Sequence, residues 1–134
     1  MYTRFLLRAE GLAVFSLATA AFVWLEGGLW LYLLLILAPD LSMLGYLGGP
    51  KLGSATYNAF HTYLGPGALL AVAFWQAVPM GILVGLIWAA HIGADRTLAY
   101  GLKYPTAFTD THLGTHVGRS GAEPVAEPAI EPAD

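Results

Sequence analysis

Four long apolar stretches, joined by connections too short to hold a domain, dominate this chain. They run from Phe5 to Leu25, Leu29 to Leu47, Ser54 to Gln76 and Pro79 to Tyr100. A helix that crosses a bilayer needs roughly 20 mostly apolar residues, and each stretch supplies that length. Charge is correspondingly scarce. Only 11% of the residues are charged and 57% are hydrophobic, against roughly 25% charged in a soluble domain. Neighbouring helices with such short links must run antiparallel. The pattern predicts an all-α integral membrane four-helix up-down bundle over residues 1–100. A juxtamembrane segment follows at 101–116 and a disordered tail at 117–134.

The basic residues orient this bundle. Arg4 and Arg8 precede or open the first stretch, Lys51 lies between the second and third, and Arg96, Lys103 and Arg119 lie at or beyond the end of the fourth. The connections at Glu26-Gly27-Gly28 and Ala77-Val78-Pro79 hold no Lys or Arg. All six basic residues therefore fall on one side, and the positive-inside rule puts that side and both termini in the cytoplasm. Arg4, the apolar run and Ala18-Thr19-Ala20 also imitate a cleaved signal peptide. Glu10 shortens the apolar run, however, and cleavage would remove two charges that make the topology consistent. Gly48-Gly49-Pro50-Lys51 reads as a turn, and Gly65-Pro66-Gly67 as a kink in the third stretch. The tail repeats Glu-Pro at Glu123-Pro124, Glu127-Pro128 and Glu131-Pro132, a composition that cannot bury a core. Without the tail the charge balance is near zero, which excludes an electrostatic nucleic-acid binder. With no cysteine, disulfides, thiolate metal sites and thiol nucleophiles are excluded.

Ionisable residues inside apolar spans are expensive and mark function by default. Five stand out: Glu10, Asp40, His61, His91 and Asp95. At 1.5 Å of rise per residue they lie roughly 9–15 Å from the cytoplasmic ends of their helices, one shared slab to which every helix contributes. His91 and Asp95 are four apart and share a helix face, with Trp88 one turn earlier. Tyr57, Asn58 and His61 form a polar stripe. Pro39 donates no N–H and opens the backbone near Asp40. Imidazole with carboxylate suits Zn, Fe or Mn. The expected metal ligands are His61, His91 and Asp95, with Glu10 and Asp40 as catalytic carboxylates. Asp110 and His112 are secondary candidates that could lid the site, as are Tyr57, Asn58 and Trp88; His116 reads as plain juxtamembrane polarity. Quieter readings exist for each residue. Glu10 could pair with Arg8, Asp40 could cap a helix, His61 could bond a carbonyl, and His91 with Asp95 could form an ordinary intrahelical pair. A proton relay uses the same residue types.

Trp24, Trp30 and Trp75 fall near the outer interface, where amphipathic aromatics belong. Gly81, Gly85, Ala89 and Gly93 form a small-residue row that permits close helix approach. The row lies roughly 160° from the His91/Asp95 face, at 100° per residue. It fits either a homodimer seam or packing within the bundle.

Several runs carry a family resemblance. They are Arg8-Ala9-Glu10-Gly11, Ala38-Pro39-Asp40-Leu41-Ser42-Met43-Leu44-Gly45-Tyr46, Tyr57-Asn58-Ala59-Phe60-His61-Thr62-Tyr63, Trp88-Ala89-Ala90-His91-Ile92-Gly93-Ala94-Asp95-Arg96 and Tyr100-Gly101-Leu102-Lys103-Tyr104-Pro105. Over residues 4–114 the chain resembles the domain of unknown function 4260 family. The resemblance implies a small multi-pass protein of the bacterial inner membrane and implies no established activity. A looser similarity is to membrane-bound metal-dependent hydrolases, through Pro39-Asp40 and His61. Ser42 stands where those would carry a second acid, and no Arg-Gly pair follows His61. Three functions follow as expectations: a metal-dependent hydrolase of a membrane-proximal substrate, a non-enzymatic proton-, ion- or ligand-binding protein, or a structural membrane protein.

Overall fold

The computed structural model describes residues 2–106 and 108–115. The 117–134 tail and His116 lie outside the described residues. Helix α1 spans Tyr2–Trp24 and α2 spans Leu29–Leu35; a 3₁₀ segment, Ala38–Gly48, continues α2. Helices α3 (Pro50–Phe60), α4 (Leu64–Trp75) and α5 (Pro79–Thr97) follow, then a hairpin of two-residue strands, β1 (Asp110–Thr111) and β2 (Gly114–Thr115). The described chain is thus all-α apart from this hairpin. Two stretches, Tyr2–Trp24 and Leu29–Gly48, are long and apolar enough to cross a membrane. The other two expected spans differ for identifiable reasons. The third is broken into α3 and α4, and α5 carries His91, Asp95 and Arg96 near its end.

The break in the third stretch falls at His61–Tyr63, not at Gly65-Pro66-Gly67. Pro66 sits in the first turn of α4, where its missing N–H would have had no intrahelical partner. The chain therefore restarts its helix just upstream and leaves Pro66 in a tolerated position. Helices α1, α4 and α5 each end with a non-glycine residue at positive φ: Glu26 (57°), Ala77 (52°) and Ala99 (68°). After each, the next N–H reaches back to a carbonyl of the last turn, as Gly27 N–H does to Phe22 O at 2.9 Å and Tyr100 N–H to Asp95 O at 2.7 Å. These bonds satisfy carbonyls that would otherwise be left open at a helix end.

Helix α5 is the hub: α1, α4 and the 3₁₀ segment all pack on it. The small-residue row is covered from within the chain. A Cβ at Gly81 would meet Ala73, one at Gly85 would meet Leu70, and one at Gly93 would lie 2.6 Å from Phe15 N and 2.7 Å from Gly11 O. Neighbours within the chain thus face three of the four positions. The 3₁₀ segment and α3 also pack at close range. Gly45 faces Thr56, Gly53 faces the Tyr46 ring, and Thr56 Oγ1 donates to Ser42 O at 2.9 Å. The two run antiparallel through the Gly49 turn (φ 105°), which sets Asp40 near the level of His61.

Much of the outer surface is apolar. Leu17, Trp24, Trp30, Leu34, Leu64, Phe74 and Trp75 are each more than 70% exposed.

Candidate metal centre

Asp40, His61, His91 and Asp95 converge. Each offers one ligand atom, and these atoms all lie within 4.8 Å of one another. His61 is 1% exposed and His91 5%, whereas Asp95 is 18% and Asp40 39% exposed. The imidazoles therefore form the floor and the carboxylates the accessible side.

The helix break builds the His61 corner. His61 caps α3, and its own N–H bonds Tyr57 O at 2.9 Å. Arg96 Nη2 donates to the His61 carbonyl at 3.0 Å, which satisfies the oxygen freed by the break. His61 Nδ1 lies 2.8 Å from Tyr57 O. A carbonyl only accepts, so Nδ1 carries the hydrogen and Nε2 presents a lone pair to the centre. The Tyr57 and His61 rings stack, with centroids 3.7 Å apart. Tyr57 Oη also donates to Asp95 Oδ2 at 3.1 Å. One residue thus orients two corners of the site, as outer-shell partners of metal ligands do.

The distances between donors define the shape. His61 Nε2 lies 3.1 Å from His91 Nε2, 3.4 Å from Asp40 Oδ1 and 3.5 Å from Asp95 Oδ2. His91 Nε2 lies 3.5 Å from Asp40 Oδ1 and 3.7 Å from Asp95 Oδ2. Tetrahedral ligands at 2.0–2.1 Å from a metal would be separated by about 3.3 Å. Five of the six edges match that value within a few tenths of an ångström. This donor set can hold a metal ion.

The chain belongs to the domain of unknown function 4260 family. Its family model matches residues 4–116, which takes in every corner of the cluster. No curated protein and no solved structure matches the chain.

The other expected residues of this family member divide. Glu10 is exposed on α1 and stays outside the cluster. Its neighbour Gly11 is the residue that faces α5, and one residue of helix turns Glu10 by about 100° away from that contact. Trp88 shares the His91 face by spacing, but its Nε1 donates to Phe60 O at 2.7 Å. It lines a separate apolar cavity of about 150 Å³ with Leu35, Pro39, Phe60 and Ile87. Asn58 does not reach the donors. It clamps the backbone of Lys103, accepting from its N–H at 2.7 Å and donating to its carbonyl at 2.8 Å. His112 accepts a 2.8 Å hydrogen bond from Leu102 N–H through Nδ1. Asp110 pairs with Thr115 in the hairpin, and its side chain lies outside what is described.

These contacts fold the segment after α5 back over the cluster. A cavity of about 420 Å³ opens there, lined by Asp40, Met43, Tyr57, Asp95, Tyr100, Lys103 and Phe108. Lys103, Tyr100 and Phe108 escape a reading based on depth, because they follow the last apolar stretch. The signal for Lys103 was its place in the Tyr100–Pro105 run; as a charge it reads only as part of the positive-inside count. Burial pushes the Lys103 ammonium below the usual lysine range, against the opposing pull of Asp95 and Asp40. Burial, then the nearby Arg96 charge, push His112 below the usual histidine value of 6.5.

Proposed function

We propose that this chain is a metal-dependent enzyme of the bacterial inner membrane, a hydrolase acting on a membrane-proximal substrate. The observation that carries the reading is the convergence of two buried imidazoles, His61 and His91, with the carboxylate of Asp95, and the more accessible carboxylate of Asp40 beside them. His61, His91 and Asp95 hold a divalent ion (Zn, Fe or Mn), with Tyr57 orienting both His61 and Asp95. Asp40 is the most exposed of the four and lines the larger cavity. It is placed to take the proton from a water entering from that side. A bound divalent ion supplies Lewis acidity and lowers the pKa of such a water.

The membrane reading is four passes with both termini cytoplasmic. The exposed apolar surface supports it, since soluble monomers rarely show such continuous patches. So does the placement of Trp24, Trp30 and Trp75 at the ends of α1, α2 and α4 away from the cluster. The cluster and all the described basic residues then share the cytoplasmic half.

The second reading is proton or ion handling without a resident metal. The 3.1 Å contact between the two Nε2 atoms favours it, because a single shared proton would also hold them together. Elemental analysis of detergent-purified protein separates the two. The enzyme reading expects about one Zn, Fe or Mn per chain, lost in folded His61→Ala and His91→Ala variants. Native-like protein that takes up no metal, even after reconstitution, sinks the enzyme and leaves the proton reading.

A further inference from the structure

Lys103 is the part of the cavity that metal binding leaves unused. It is 7% exposed, and Asn58 fixes its backbone from both sides. Its Nζ donates to Phe108 O at 2.8 Å and rests over the Phe108 and Tyr57 rings, 3.7 and 4.7 Å from their centroids. An ammonium carries three donors, and among the described residues only the one to Phe108 O is taken. Buried cations are normally matched by anions, yet among the described residues Lys103 forms no ion pair.

Charge counting sharpens the point, and it rests on the metal reading above. Two carboxylates balance one divalent ion, and metal-bound histidines are neutral. The loaded cavity then keeps the single positive charge of Lys103. Its remaining wall is apolar and aromatic, from Met43, Tyr100 and Phe108. The separate apolar cavity is lined in part by Pro39 and Phe60, the sequence neighbours of Asp40 and His61. A metal ion and a lysine across one cavity form a clamp for the oxygens of a phosphoryl group. We propose that Lys103 is the anion-recognition residue of this site and that the ligand carries a phosphate ester, with an apolar portion received by the walls around it.

The test uses the full chain in detergent, loaded with Zn, and calorimetric titration with two probes: inorganic phosphate and short-chain phosphatidic acid. Lys103→Met should keep the wild-type metal content and bind both probes roughly tenfold or more weakly, the worth of a charged hydrogen bond. Lys103→Arg should recover part of that loss. Met43→Trp, which leaves Lys103 in place and fills the cavity, should weaken phosphatidic acid binding even if Lys103→Met fails to fold. Tighter binding of phosphatidic acid than of phosphate assigns the group to a lipid, and equal binding assigns it to a soluble phosphate. Unchanged affinity in metal-replete Lys103→Met overturns this inference and leaves the metal centre standing. Tighter phosphate binding by Asp110→Asn would make Asp110 the resident counterion of Lys103 and also overturn it. A wild-type chain without metal overturns the hydrolase instead; Lys103 is then judged by phosphate binding to the metal-free protein.

Discussion

Helix α5 meets two kinds of neighbour. Against α1 it offers Gly93, which sits on Gly11 and the Phe15 backbone. Against α3 and the 3₁₀ segment it offers His91 and Asp95. The first contact joins two uninterrupted helices of 23 and 19 residues. The second joins α5 to a broken helix and an 11-residue 3₁₀ segment, far beyond the three or four residues such segments usually reach. Regular backbone accompanies pure packing here, and irregular backbone accompanies converging polar groups. Non-helical backbone within an apolar region is tolerated where it is buried in protein or lines a cavity, and this is where the chain concentrates it.

The comparison can be broken most forcefully at the glycine face. In Gly93→Val the new side chain would meet main-chain atoms of α1 that cannot rotate away, at a cost of about 1–3 kcal/mol or more. Thermal or denaturant unfolding should show the loss, while metal bound per folded chain stays constant. A parallel fall in metal content would mean that the two faces are not independent. On the polar face, Tyr57→Phe removes the hydroxyl that orients Asp95 and keeps the stacked ring. Metal affinity should fall 10–100-fold, the usual range for an outer-shell partner, with little change in stability. A chelator competition giving wild-type affinity would deny Tyr57 that role.

The smallest effect concerns the hairpin over the mouth. Native His112 accepts from Leu102 N–H and must be neutral to do so. Its folded pKa lies below 6.5, so the unfolded state binds more protons in that range and stability rises with pH. Docking should be at full strength above about 6.5 and weaken as pH falls below it, by under about 1 kcal/mol. Hydrogen exchange at the His112 amide, which bonds Leu102 O, reads this directly. His112→Gln should flatten the pH dependence; a dependence that survives would place its source elsewhere.

Four residues of the centre were conspicuous in the sequence because an apolar background makes an ionisable side chain stand out. Equal depth then grouped Asp40, His61, His91 and Asp95 before any contact was known. The same argument admitted Glu10, which the fold leaves outside the cluster. Depth along a helix says nothing about which side of that helix meets a neighbour, and Gly11 decided that side. Trp88 differs by reach: its indole N–H extends to the Phe60 carbonyl. Lys103 was missed for the opposite reason, since outside the apolar stretches a lysine is ordinary.

By itself the sequence determined the predominantly helical class, the short connections between apolar stretches and the grouping of Asp40, His61, His91 and Asp95. These follow from local composition and from the fixed rise of a helix. Only the tertiary structure decided the rotation of each helix, the break at His61–Tyr63 and the return of Lys103 over the cluster. Those depend on close contacts between residues distant in the chain, such as Gly11 with Gly93, Arg96 with the His61 carbonyl and Asn58 with Lys103, and no local pattern encodes which partners will meet.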